Sequence, residues 1–141
     1  MEAAKIVFAG ATGSLLNYCS DIRNVIINRT AVGRYSVSFL TNCIVDESKD
    51  IYPIINVTCQ SPSGAATVVN VLNPTSTYQR QNEHEFYYLI SFQIEVQNVV
   101  NSVTLPTVLL TLLGYTFNVT TFVDRPVIMV DCEYTSRIKG Y

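Results

Sequence analysis

Residues 21–41, DIRNVIINRTAVGRYSVSFLT, constrain the fold more than any other stretch. From Arg34 to Phe39 polar and large apolar side chains alternate strictly, with Arg34, Ser36 and Ser38 on one side and Tyr35, Val37 and Phe39 on the other. A period of two belongs to a strand with one wet and one buried face. Just upstream, residues 22–28 are rich in β-branched side chains. Residues 29–33, RTAVG, make a connection of hairpin length that ends in a glycine free to take positive φ. The pair predicts a β-hairpin around which the rest of the chain can be arranged.

The longest alternation runs over residues 86–97. Phe86, Tyr88, Ile90, Phe92, Ile94 and Val96 fall on one face, and Tyr87, Leu89, Ser91, Gln93, Glu95 and Gln97 on the other. The first set is expected to share one core with Tyr35, Val37 and Phe39. Shorter runs over residues 5–9, 51–60, 66–72, about 103–113, 115–122 and 126–134 read as further strands, with Pro53 tolerable only near a strand start or on an edge. Leu15 and Leu16 resume the first run before residues 17–21 break it, and residues 45–50 form a charged, solvated connection. Residues 73–85, NPTSTYQRQNEHE, are the longest polar segment, hold the single histidine, His84, and read as an exposed functional loop. Val, Ile, Thr, Tyr and Phe dominate over helix formers, so almost no helix is expected. About eight strands in 141 residues predict an all-β chain, an antiparallel β-sandwich of jelly-roll or Ig-like strand order, as one domain over residues 1–141.

A net charge of −2 without any run of Lys or Arg argues against a nucleic-acid surface. No apolar run is long enough to cross a bilayer as a helix, and the first ten residues lack the pattern of an export signal. Cys19, Cys43, Cys59 and Cys132 are widely spaced and are therefore expected to be reduced, with the sequons at Asn28, Asn56 and Asn118 left bare. KIVFAGATGSLL superficially resembles the start of a nucleotide-binding βαβ unit. It is followed by no amphipathic helix and by no suitably placed acid. Glu83-His84-Glu85 could ligate a metal ion or serve a nucleophile, but in a polar loop it reads as solvated. No enzyme activity, catalytic group, cofactor or metal is expected. What remains is surface: Tyr87 and Leu89, and Leu109 and Leu113, are apolar residues opposite the apolar faces of their strands, to be covered by a partner or by a central position under a loop.

From Lys5 to Phe39 the chain resembles a β-sandwich domain that recurs at the tips and appendages of tailed-phage fibres. The likeness lies in the strand Lys5-Ile6-Val7-Phe8, the turn from Gly10 to Gly13, Asn17-Tyr18, the β-branched Asn24 to Ile27, and Gly33-x-Tyr35-x-Val37-x-Phe39. Tyr52-Pro53-Ile54-Ile55 follows in the matching place, so that roughly the first sixty residues are covered. The resemblance implies attachment to a host surface. The chain begins at Met1 without a shaft-forming segment, which implies a small separate virion protein, made in the host cytoplasm. The expected partners are the chain itself, as a trimer, and other virion proteins. The alternatives are a minor capsid or decoration protein without receptor binding, and a carbohydrate-binding module in which Tyr78, Arg80 and His84 contact a glycan, such as one on a host surface.

Overall fold

The computed structural model describes residues 2–19, 22–41, 49–61, 66–80, 86–101 and 118–138. Nine strands are found among them: β1 (Glu2–Ala9), β2 (Leu15–Tyr18), β3 (Ile22–Ala31), β4 (Arg34–Thr41), β5 (Lys49–Cys59), β6 (Ala66–Arg80), β7 (Phe86–Asn101), β8 (Asn118–Phe122) and β9 (Val127–Ile138). They form two antiparallel sheets, one ordered β2-β1-β9-β5, the other β3-β4-β7-β6 with β8 paired to the far end of β7. The protein is an all-β sandwich. Among the described residues there is no helix, and so none long and apolar enough to cross a membrane.

One core lies between the sheets. Ala4, Ile6 and Phe8 of β1 and Ile128, Val130 and Cys132 of β9 enter it from the first sheet. From the second come Ile22, the expected Tyr35, Val37 and Phe39, and Tyr88, Ile90, Phe92, Ile94 and Val96. The Phe8 and Tyr35 rings meet edge to face across the two layers, 5.1 Å apart. The expected hairpin is β3 and β4, with Ile27 opposite Val37 and Gly33 at φ +67° in the turn. β4 then pairs with β7 from Arg34 opposite Glu95 to Leu40 opposite Leu89, which brings both alternating faces into the core together.

Several boundaries differ from expectation. Residues 73–80 are not loop but the second half of β6, paired with β7 up to Arg80 opposite Phe86. A bulge between Leu72 and Thr75 takes up Asn73, at φ +50°, and Pro74, after which the ladder resumes. Asn17 and Tyr18 continue β2, and Lys49 and Asp50 already belong to β5. Residues 103–113, with Leu109 and Leu113, lie outside the described residues.

Four strands at sheet edges, β2, β3, β5 and β6, carry features that hinder further strand pairing. β5 is an edge strand with Pro53 inside it. β3 bulges between Arg23 and Ile26, where Asn24 takes φ +53°, β6 bulges at Asn73-Pro74, and β2 is four residues long with its own irregularity against Val7 and Phe8. Short, bulged or proline-bearing strands are poor templates for a further strand.

Candidate functional site

The densest polar constellation lies where the chain leaves the second sheet at Phe122 and enters the first at Val127. Asp124 in this crossing receives both nitrogens of a guanidinium fork: Arg29 Nη2 donates to Oδ2 at 2.7 Å and Nε to Oδ1 at 3.3 Å. Gly33 N–H donates to Oδ1 at 2.9 Å, and the Tyr35 hydroxyl lies 3.0 Å from Oδ1 and 2.6 Å from the Gly10 carbonyl. Arg125, only 8% exposed, donates from Nε to Thr67 Oγ1 (3.1 Å) and from Nη2 to Asn98 Oδ1 (3.0 Å). The Gly33 C=O accepts from Val96 N, and the Val96 C=O in turn accepts from Val123 N, which ties the crossing to the β3–β4 turn and to β7.

Two glycines make room for the crossing. A Cβ on Gly10 would collide with the Arg125 carbonyl, and one on Gly33 would sit 2.6 Å from Val96 O at a positive φ. Neither position accepts a side chain without moving backbone.

The electrostatics are those of a closed joint. Hydrogen bonding from Arg29 holds the Asp124 carboxyl below the usual carboxylate range, with the Gly33 N–H and Tyr35 hydroxyl acting in the same direction against burial. Burial first, then Asp124, pushes the Tyr35 phenol up, and the Asp124 carboxylate raises Arg29 in return. Oδ1 takes the Gly33 N–H, the Tyr35 hydroxyl and the longer Arg29 contact, and Oδ2 takes the shorter one. Among the described residues no group of three or more His, Cys, Asp and Glu could hold a metal ion. The constellation fastens the crossing to β3, β4, β6 and β7.

Two hollows among the described residues offer room for a ligand. One, of about 300 Å3, lies over the β4–β7 pair and is lined by Thr30, Arg34, Tyr35, Ser36, Gln93, Ile94 and Glu95. In it Arg34 Nε is 4.0 Å from Glu95, while its guanidinium covers the Phe122 ring. The other, of about 400 Å3, lies on the first sheet between Ala4, Lys5, Ile54, Asn56, Asp131, Cys132 and Glu133. No family model matches the chain, and no curated protein or solved structure matches it either. Its chemistry therefore has to be read from these residues alone.

Of the residues singled out from the sequence, the structure describes the side chains of Tyr78, Tyr87 and Leu89. Tyr78 is on β6 with its ring edge to face with that of Tyr88 at 5.6 Å, half-buried against the core rather than carried on an exposed loop. Arg80 ends the same strand, and His84 lies outside the described residues. Tyr87 does point away from the core, but it is 7% exposed, because the Arg23 guanidinium sits 3.8 Å above its ring. Leu89 is half-buried between Leu40 and Thr77. Asp124, Arg125 and Arg29 were missed. The signal was there in the Asp-Arg-Pro at residues 124–126, adjacent charges between two apolar runs in a chain only 14% charged.

Proposed function

We propose that this chain is a non-enzymatic structural protein of a virion surface or tail, working through assembly with copies of itself and with other virion proteins. The single observation that carries the reading is the outer face of the four-stranded sheet, where Val127, Met129 and Ile54 stand 38%, 42% and 63% exposed. Val127 and Met129 adjoin on this face, Ile54 stands beside Glu133 beyond the Asn56–Asp131 rank, and exposed large apolar side chains on one sheet face favour a covering partner. The virion context rests on the resemblance carried by Gly33, Tyr35, Val37 and Phe39. The test is the mass of the pure protein in solution together with its co-sedimentation with viral particles. Oligomers that co-sediment are expected, and a monomer absent from particles would overturn the reading.

A second reading is favoured by the hollow over β4 and β7. Thr30, Ser36 and Gln93 offer hydroxyl and amide groups beside the Arg34 and Glu95 charges, a mixture suited to a sugar's hydroxyls. Here Gln93 and Arg34 take the glycan-contacting role that the sequence assigned to Tyr78, Arg80 and His84. Glycan-array binding lost in Gln93→Ala would establish it, and an array without any binder would remove it.

A further inference from the structure

We infer that the outer face of the four-stranded sheet binds a second copy of this chain, face to face about a two-fold axis running between β1 and β9. The inference rests on the assembly reading and names its partner.

The face presents ordered ranks. Outward residues alternate with the core residues on β1 (Lys5, Val7), β9 (Val127, Met129, Asp131, Glu133) and β5 (Ile54, Asn56, Thr58). Register places Asp131 between Lys5 and Asn56, and Met129 between Val7 and Thr58. The order β2-β1-β9-β5 maps onto itself about the line between β1 and β9: β1 falls over β9 and β2 over β5. A two-fold axis along that line therefore sets Lys5 of each copy against Asp131 of the other, and Val7 against Met129. Charge meets opposite charge and apolar meets apolar, twice each, as an isologous contact requires.

The charges are available for this. Lys5 and Asp131 are directly opposite on neighbouring strands, yet the described residues contain no ion pair between them. The β5 edge beside this face carries Pro53 and the β2 edge is four residues long, which favours contact through the face over extension of the ladder. The two four-stranded sheets then stack as sheets do inside a sandwich, about 10 Å apart. The contact is two-fold, and so differs from the trimer expected at first.

Sedimentation equilibrium of the full chain tests this. Wild type is expected to dimerise. Met129→Lys, at an exposed site outside the core, should weaken the dimer about tenfold or more, with the far-UV CD spectrum and Tm retained. Lys5→Asp should weaken it as well, and combining Lys5→Asp with Asp131→Lys should restore it. A wild-type oligomer indifferent to Met129→Lys and Lys5→Asp overturns the contact but leaves the assembly reading standing. A monomer that still co-sediments with particles does the same. A monomer absent from particles overturns both.

Discussion

At the scale of single residues, stability concentrates on Asp124. Its carboxylate gathers Arg29, Gly33 and Tyr35, side chains 29% and 21% exposed for Arg29 and Asp124, so water screens the pair only in part. Hydrogen bonds to a charged group contribute about 1.5–3 kcal/mol each and are not additive, so Asp124→Ala should destabilise by about 2–3 kcal/mol in urea unfolding. The pH dependence has a definite sign. The folded carboxyl titrates below its unfolded value, so the clamp's contribution is complete above about pH 4 and disappears as pH falls through the lowered value. Urea midpoints measured from neutral pH downward should fall more steeply in wild type than in Asp124→Asn, which has nothing to titrate there. Parallel curves would show that Asp124 is not the group concerned. None of these partners could be read locally, since Arg29, Gly33 and Tyr35 lie 95, 91 and 89 residues away in the chain.

At the scale of elements, β4 and β7 form the centre of the second sheet, and their alternating faces supply Phe39 and Phe92 to the core at 0% and 2% exposure. Truncation of either to Ala should cost about 3–5 kcal/mol, measured by chemical unfolding. These two strands were legible from sequence because a buried face opposite a wet one leaves a period of two. The second half of β6 was not. Its bulge at Asn73-Pro74 breaks the period, and Thr75 and Thr77 face outward opposite Ser91 and Leu89, so a strand with a polar exposed side reads as a polar loop. Pro53 makes a separate prediction. It pairs opposite Tyr134 on edge strand β5, where the missing N–H leaves the free side unable to pair. Pro53→Thr should restore a donor on that edge and raise concentration-dependent aggregation, followed by light scattering, while the folded CD spectrum persists. Unchanged scattering would mean that the edge is protected by something other than proline.

At the scale of the whole molecule, the two sheets enclose Cys132, fully buried on β9, whose thiol burial and the nearby Glu133 push up to about 12. Cys59 and Cys132 are free thiols, the Lys5 N–H donates to Cys19 Sγ at 3.3 Å, and Cys43 lies outside the described residues. At pH 8 Cys132 should react with an alkylating reagent only when the sandwich opens, more slowly than half-exposed Cys19, and faster in Asp124→Ala. Equal native rates for Cys19 and Cys132 would contradict the enclosed core. The sequence by itself determined the all-β class, the β3–β4 hairpin and the core faces of β4 and β7, because alternation is a local property that neighbouring residues impose on one another. Tertiary structure alone decided which strands neighbour which, that Arg23 covers Tyr87, that Asp124 and Arg125 fasten the crossing, and that Lys5 stands beside Asp131 on an open face. Those relations depend on strands far apart in the chain coming together, and side-chain spacing along one strand carries no record of its partner.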